Sequence, residues 1–281
     1  MAKKRKLIDF KRKSELYVKR YAPNPKTIRI EEYDVPLPVM PKRSEMENFE
    51  LTRRQQRFRR TVVPRDLQYW DKRDENAFVE AEFHKRKNGV WYLINNKPIY
   101  LTGKAYMFFN YWHVEAGGLP EFRMEAVEFF LFWEMVENDN NCYGAAWFKP
   151  RRIGETEKVL FLLSEYATRV RNSQCGMQSI KESDAYKNYK RLVTGFSKLP
   201  YFFKPVQKGT DDPEKKLEFK YPAQLITHKK LKENSGQQEY VLMERDMDKV
   251  PLDSQVNFET TKLKRYDSNR LGRYYLDELG S

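Results

Sequence analysis

The chain has 281 residues, of which 40% are hydrophobic and 15% are aromatic, so it is long enough to bury one substantial core. Its apolar runs fall well short of the roughly 20 residues that a membrane-spanning helix needs, and no apolar segment follows the basic residues at the N-terminus. Composition therefore argues against a membrane-spanning protein and against a secreted one, and we expect a soluble protein.

The net charge of +13 is concentrated near the N-terminus. Residues 1–60 contain 18 Lys and Arg against 8 Asp and Glu, an excess of 10, which leaves an excess of only 3 for the other 221 residues. Basic clusters and prolines together predict that residues 1–65 form an extended arm, with one short helix around residues 51–60. The arm is either a solvated tail or a segment that contacts nucleic acid or a partner, because concentrated positive charge attracts polyanions.

Cysteine and histidine are scarce and scattered along the chain. Cys142 and Cys175 lie in different segments, which fits neither a disulfide framework nor a zinc cluster. We expect both cysteines to be buried small hydrophobic residues in a reducing compartment. The three histidines, which are also too far apart in sequence to suggest a metal site, are His84, His113 and His228.

Residues 88–103, NGVWYLINNKPIYLTG, have the pattern of a β-hairpin, because two β-rich runs flank the turn-forming pair Asn95 and Asn96. Further on, residues 122–139 carry apolar side chains at helical spacing, which predicts a helix. We assign the aromatic side chains of this region to the core rather than to base stacking. The apolar positions at helical spacing are Met124, Val127, Phe130, Leu131, Trp133 and Val136.

The second half of the chain alternates strand and helix patterns. Residues 142–148, CYGAAWF, form a short apolar run of the kind expected for a buried parallel strand, and a helical pattern follows the next loop. Strands are predicted at residues 174–180, 254–261 and 274–276, a helix at 181–196, and weaker strands at 217–222 and 239–244. This alternation predicts an α/β fold with a mainly parallel sheet flanked by helices. The helix after the loop would bury Val159, Leu160, Leu163, Ala167 and Val170.

The loop before that helix has eight residues, KPRRIGET, at positions 149–156. In the usual phosphate-binding loop, G-x-x-x-x-G-K-[ST], backbone N–H groups surround the phosphates, the lysine reaches them and the hydroxyl binds Mg²⁺. Gly154 and Thr156 are in register with that pattern, whereas Lys149 replaces the first glycine and Glu155 replaces the lysine. The segment is either a nucleotide site whose charge has moved upstream or a basic turn that caps a helix. The upstream charges are Lys149, Arg151 and Arg152.

Glu155 is the residue that conflicts with phosphate binding. A carboxylate about 4 Å from a phosphate costs about 4 kcal/mol per unit charge at an effective dielectric constant of about 20. If the loop holds ATP, we therefore expect the Glu155 side chain to point away from the phosphates.

An acidic pair follows the last apolar run of the chain. Tyr274, Tyr275 and Leu276 predict a strand that delivers Asp277 and Glu278 at its C-terminal end. Nucleotide hydrolases need one carboxylate to hold Mg²⁺ and an adjacent one to polarise the attacking water. In a parallel sheet the loop and the acids emerge at the same carboxyl edge, where ligands bind. The two motifs together indicate a nucleotide hydrolase.

These segments resemble the large terminase subunits of tailed bacteriophages, the ATP-driven motors that package DNA. The resemblance spans roughly residues 91–281 and rests on KPIYLTGKAYMFFNYW, KPRRIGET and YDSNRLGRYYLDELG. Many members of that family carry the basic residue at the start of the loop and none before its Ser/Thr. The resemblance implies a P-loop NTPase-type sheet with ATP and Mg²⁺ as cofactors. It assigns catalysis to Glu278, Lys149 and Arg152, the metal to Thr156 and Asp277, and the ATP phosphates to Lys149, Pro150, Arg151, Arg152, Ile153, Gly154, Glu155 and Thr156.

The resemblance also implies a domain organisation and a set of partners. Residues 1–65 would form the basic arm and residues 66–281 the ATPase domain, which ends after the acid-bearing strand and lacks the nuclease domain of a complete large terminase. The implied partners are double-stranded DNA, a portal protein, the small terminase subunit and further copies in a ring, in the host-cell cytoplasm. Two other functions stay open: a nucleic-acid-binding or assembly protein with a degenerate nucleotide site, and a helicase-type ATPase.

Overall fold

The computed structural model describes residues 27–30, 33–114, 117–146, 154–209, 212–220, 251–260 and 271–277. Within these residues the chain is a mixed α/β structure with five α-helices and a four-stranded, partly parallel sheet. The chain divides into two compact units: unit 1 comprises Met1–Asn110 and Glu121–Pro150, and unit 2 comprises Tyr111–Pro120 and Arg151–Ser281. The α/β prediction is therefore confirmed, while the domain boundary predicted after residue 65 stays a prediction.

Unit 1 combines two antiparallel hairpins with helices. Short 3₁₀ helices cover Arg43–Glu45 and Leu67–Tyr69. The helix Gly103–Tyr111 continues one residue beyond the boundary of the unit. The other elements, in chain order, are β1 (Thr27–Ile30), β2 (Tyr33–Pro36), α1 (Lys72–Asn88), β3 (Val90–Ile94), β4 (Lys97–Leu101), α2 (Gly103–Tyr111) and α3 (Met124–Asn138).

The predicted hairpin at residues 88–103 is confirmed. Strands β3 and β4 pair antiparallel, and Asn95 and Asn96 both have positive φ angles, of 51° and 69°, as a tight primed turn requires. The predicted helix is α3, which buries Val127, Phe130 and Val136 but leaves Met124, at its first turn, 39% exposed. Of the other predicted core positions, Leu131 is buried and Trp133 is half-buried.

Two local predictions for unit 1 are wrong. Residues 51–60 form turns rather than a helix, because tertiary contacts of Gln56 and Phe58 hold the backbone in another conformation. Residues 142–146 form no strand and are mostly exposed, with Tyr143 wholly so. A strand needs a neighbour for its backbone groups, and no described strand pairs with this run. Cys142 is accordingly half-buried rather than buried.

Unit 2 is built around a four-stranded sheet of β5 (Gln174–Ser179), β6 (Lys216–Phe219), β7 (Ser254–Thr260) and β8 (Arg273–Leu276). The strand order is β6-β7-β5-β8. The three strands β7, β5 and β8 are parallel to one another, and β6 is antiparallel to β7. Strands β5 and β7 are parallel neighbours, and the chain between them contains helix α5 (Glu182–Ser197) and the antiparallel strand β6. The predicted unit of strand 142–148, helix and strand 174–180 lacks its first strand in the described residues. The predicted strand at residues 239–244 lies outside the described residues. The remaining elements are α4 (Glu155–Ala167) and a 3₁₀ helix (Tyr201–Phe203).

The register of the sheet separates its two faces. Cys175 pairs with Val256, and Met177 pairs with Phe258, so these side chains share one face. The ring of Phe258 contacts Tyr189 of α5, which places that helix on the same face. Burial raises the pKa of the Cys175 thiol to about 12, so this cysteine is a neutral core residue, as predicted.

Helices α4 and α5 pack against each other and against the sheet. Trp112, which is fully buried, lies between them: its ring contacts Phe161 of α4, and a Cβ atom on Gly195 of α5 would lie 2.3 Å from that ring. Only glycine permits this close approach, which fixes how the two helices meet.

Candidate functional site

The acid-bearing strand ends at Asp277, whose position is fixed by three hydrogen bonds. Its backbone N–H donates to the Gln178 carbonyl at 2.9 Å, which extends the pairing of β8 with β5 by one residue. Its carboxylate accepts hydrogen bonds from Asn188 Nδ2 at 2.9 Å and from the Tyr275 hydroxyl at 2.7 Å. Both side-chain donors are neutral. They orient the carboxylate and leave its negative charge available to a cation.

Helix α4 begins at Glu155 and is preceded by Gly154, which adopts the left-handed conformation with φ 78° and ψ 15°. Gly154 has no side chain that could cap the helix, and within the described residues no atom beyond those of its chain neighbours lies within 4 Å of the place where its Cβ atom would be. An N-terminus of this kind presents backbone N–H groups and the positive end of the helix dipole, which favour an anion. Thr156 lies in this first turn and is half-buried.

Helix α5 connects the first turn of α4 with the end of β8. Asn188 donates to Asp277, and Arg191, one turn further along α5, lies 3.5 Å from the Glu157 carboxylate of α4. Side chains three residues apart on a helix are neighbours about 5–6 Å apart at Cβ. The start of α4 and Asp277 therefore lie at the same end of unit 2.

The opposite end of α4 confirms its direction. The Arg273 guanidinium, at the start of β8, lies 4.4 Å from the ring of Tyr166, at the end of α4. Ser254, at the start of β7, donates a hydrogen bond to the Ala167 carbonyl. Because α4 runs antiparallel to these strands, its N-terminus points to their carboxyl ends, where open α/β sheets bind ligands.

Glu155 turns its side chain into unit 2. The residue is only 7% exposed and pairs with Lys158, which is 4% exposed, in a buried ion pair. The carboxylate charge is therefore balanced within the helix, which lowers the repulsion that we expected toward a phosphate. The second carboxylate oxygen, Oε2, is buried and has no hydrogen-bond partner in the described part of the chain.

Some of the predicted site residues can be placed and some cannot. The described ones are Gly154, Glu155 and Thr156 at the start of α4 and Asp277 at the end of β8. Their catalytic, metal and phosphate roles stay predictions. The positions outside the described residues are Lys149, Pro150, Arg151, Arg152, Ile153 and Glu278.

Sequence reasoning missed four side chains that shape this end of unit 2. Lys158 has a local signal, because Glu155 and Lys158 are three residues apart in a predicted helix. Tyr275 also lies close in sequence to its partner, Asp277. Asn188 has no such signal, since it is 89 residues from Asp277 along the chain. The fourth side chain is Arg191.

The donor set at this end of the unit suits Mg²⁺ bound with phosphates. Mg²⁺ in such sites takes one or two protein oxygens and completes its octahedron with water and phosphate oxygens. The Thr156 hydroxyl and the Asp277 carboxylate are oxygen donors of the right type. Among the described residues, no group of three or more His, Cys, Asp or Glu residues is placed to hold a metal ion.

No family model, curated protein or solved structure matches the chain. Across the described residues, no α-helix combines the length and the apolar character needed to cross a membrane. The assignment of a function therefore rests on the motifs and on the geometry of unit 2.

Proposed function

We propose that the chain is the ATPase part of a DNA-packaging motor of the large terminase type. In this proposal, unit 2 contributes the core of a P-loop NTPase-type fold, and MgATP binds where α4 begins and β8 ends. Hydrolysis would be coupled to the movement of double-stranded DNA into a procapsid. The ATPase step is supported by the arrangement in unit 2, and DNA packaging is supported by the resemblance of the sequence motifs.

One observation carries the proposal. Asn188 and Arg191, on the same face of α5, contact Asp277 and Glu157 and so bring the acid-bearing strand and the first turn of α4 to one end of the unit. A helix N-terminus that follows a glycine and an oriented carboxylate are the two parts that a magnesium–phosphate site needs.

The chemical roles follow from the side chains. Lys149, Arg151 and Arg152 would neutralise phosphate charge, and the Thr156 hydroxyl and Asp277 would hold the metal ion. Glu278 would orient and polarise the attacking water. When bound, Mg²⁺ would neutralise negative charge on the phosphate oxygens. Catalysis would then consist mainly of positioning and electrostatic stabilisation, as phosphoryl transfer requires.

A second candidate function is a nucleic-acid-binding or assembly protein whose nucleotide site has degenerated. It is favoured by residues 142–146, which precede the loop as exposed coil and not as a paired strand. The two candidates differ in whether the native chain binds MgATP.

Thermal unfolding with and without millimolar MgATP separates them. A ligand present at about 100 times its dissociation constant stabilises the native state by about 2.7 kcal/mol, which raises the melting temperature. We expect such an increase for the full chain. A well-folded sample whose melting temperature is unchanged by MgATP would contradict the ATPase and favour the assembly protein.

A further inference from the structure

The most basic short segment within the described residues lies in unit 1, at residues 51–65, LTRRQQRFRRTVVPR. We call it the arginine segment. It contains six arginines and no Asp or Glu. Five of its arginines are exposed and have no carboxylate partner within the described residues, which leaves their guanidinium groups open to a ligand. These five are Arg53, Arg54, Arg57, Arg59 and Arg65.

The backbone of the arginine segment is tied to unit 1 by hydrogen bonds. Gln56 is buried, and its backbone carbonyl and side-chain Oε1 accept the N–H groups of Asn95 and Asn96, in the turn between β3 and β4. The Arg57 carbonyl accepts a hydrogen bond from Asn48 Nδ2 at 2.8 Å. The N–H of Thr61 donates to the Asn110 side chain at 2.6 Å. The exposed arginines therefore project from a fixed backbone.

Phe58 adds an apolar anchor in the middle of the segment. Its ring stacks on Phe122 with centroids 4.6 Å apart and also contacts Tyr92 and Phe109. The acid next to Phe122 does not neutralise the segment, because Glu121 pairs with Arg123 at 2.6 Å. Because its backbone is held by these contacts, the segment loses less conformational entropy when it binds a ligand.

We propose that the arginine segment is a binding surface for the phosphate backbone of double-stranded DNA. Arginine guanidinium groups match phosphate geometry, and binding through phosphates needs no base contacts. A surface for single strands would present aromatic rings on which bases stack. The one aromatic residue of this segment, Phe58, is stacked inward on Phe122, so the chemistry favours a duplex read through its phosphates.

This inference rests on the proposed function only for its choice of duplex DNA as the polyanion. Nucleotide binding and DNA binding are measured separately, so either can fail alone. A chain that binds MgATP but shows no role for the arginine segment would overturn only the inference. A chain that binds DNA through this segment but not MgATP would overturn only the ATPase.

The test compares two quadruple variants of the full chain that lose the same charge. The first is R53Q/R54Q/R57Q/R59Q, within the arginine segment. The control removes four exposed positive charges elsewhere in unit 1. It is R29Q/K72Q/R73Q/K87Q. Binding of a labelled 30-base-pair duplex is followed by fluorescence anisotropy between 50 and 200 mM NaCl, without nucleotide.

Each phosphate contact contributes about −0.9 to the slope of log K against log[salt]. We expect the arginine-segment variant to lose at least about tenfold in affinity and to reduce the slope by about 2 to 4. The control variant should change the slope by less than about 1. All eight substituted side chains are exposed, so unchanged thermal unfolding will show that both variants fold.

Two results would overturn the proposal. Equal losses in the two variants would mean that the protein attracts DNA by its overall charge. Tighter binding of a single strand than of the duplex, lost in Tyr69→Ala, would mean that the exposed Tyr69 stacks on bases and that the nucleic acid is recognised as a single strand.

Discussion

Two helices of this protein each contain a Glu–Lys ion pair with a spacing of three residues, but the hydrogen bonds of the two glutamates differ. In α1 of unit 1, Glu82 pairs with Lys85, and in α4 of unit 2, Glu155 pairs with Lys158; both pairs are three residues apart. Glu82 is satisfied at both oxygens, because Lys85 binds Oε1 and the Tyr106 hydroxyl donates to Oε2 at 2.6 Å. Glu155 has Lys158 at Oε1 and no hydrogen-bond partner at its buried Oε2 in the described part of the chain.

The charge balance around the first pair is also more complete. Lys85 forms a second ion pair with Glu47 at 3.2 Å. Burial lowers the pKa of Lys85, but the carboxylates of Glu82 and Glu47 raise it more, so its pKa lies above the ordinary value and the lysine stays charged. The pair in α1 has the properties of a structural network. The pair in α4 lies at the start of a helix that we propose to bind a ligand. Its Glu155 Oε2 atom can still accept a hydrogen bond.

Removal of Glu82 should have the largest effect on stability. Glu82→Ala leaves the partly buried Lys85 with one carboxylate fewer and removes the charged acceptor of the Tyr106 hydroxyl. That hydroxyl still lies 2.5 Å from the Thr61 hydroxyl. Breaking a buried pair costs about 3–5 kcal/mol. We expect a loss of this size in the free energy of unfolding, measured in urea, with Glu80→Ala on the same helix as the exposed control. A loss below about 1 kcal/mol would show that the network contributes little.

Lys158→Met should act on the ligand as well as on stability. This change leaves Glu155 uncompensated in the first turn of α4, so a bound phosphate would meet an unbalanced negative charge. We expect MgATP affinity to fall by about 10- to 100-fold, about 1.4 to 2.8 kcal/mol. Lys187→Met, at an exposed lysine of α5, is the control. Equal affinities in the two variants would separate the Glu155–Lys158 pair from any nucleotide site.

Asn188→Ala tests the residue that orients Asp277. Without the Asn188 amide, the Asp277 carboxylate keeps only the Tyr275 hydroxyl as a side-chain donor among the described residues. We expect the Mg²⁺ concentration needed for half-maximal ATP binding to rise about tenfold, since outer-shell partners tune metal affinity by about 10- to 100-fold. Thr194→Ala, on an exposed position of α5, serves as the control. A lower melting temperature with an unchanged Mg²⁺ requirement would show that Asn188 is only structural.

Cys175 is a buried group that stays neutral, in contrast to the two ion pairs. Its pKa in the folded chain is about 12, above the ordinary value of 9.0, because burial disfavours the thiolate. The folded state therefore holds this proton at a pH where the unfolded state releases it, so stability falls as pH rises between about 9 and 12. Between pH 8 and pH 10 we expect the free energy of unfolding to fall by about 1 kcal/mol less in Cys175→Ala than in the unmodified chain. An identical pH dependence in both proteins would contradict the assignment.

The sequence predicted elements whose cause is local. The hairpin depends on the turn-forming pair Asn95 and Asn96, and α4, α5 and β5 follow from hydrophobic periodicity. All of these elements can therefore be predicted from the sequence alone. The prediction of a strand at residues 142–148 is wrong in its described part, because a strand also needs a neighbouring strand to pair with. The sequence of one strand does not determine which strand lies beside it. The failed helix at residues 51–60 has the same origin, since the contacts of Gln56 and Phe58 are made with distant residues.

The candidate site shows the same division between local and distant causes. The loop glycine, Thr156 and Asp277 could be predicted because each belongs to a short motif at the end of an element. Asn188 and Arg191 could not, since they reach Asp277 and Glu157 only after α5 has packed against α4 and the sheet. The burial of Glu155 also depends on that packing. The charge of Glu155 is balanced locally, by Lys158 of the same helix, whereas the burial of the pair depends on tertiary structure.

Calorimetric titration of ATP with and without Mg²⁺ tests the central claim most directly. It is carried out on the full chain, on Asp277→Asn and on the control Asp184→Asn, at a half-buried acid of α5 whose side chain is 42% exposed. Our account predicts that the unmodified chain and Asp184→Asn bind ATP more tightly with Mg²⁺, and that Asp277→Asn loses this dependence on the metal. The absence of ATP binding to the folded chain, or an unchanged Mg²⁺ dependence in Asp277→Asn, would contradict a magnesium–nucleotide site between α4 and β8.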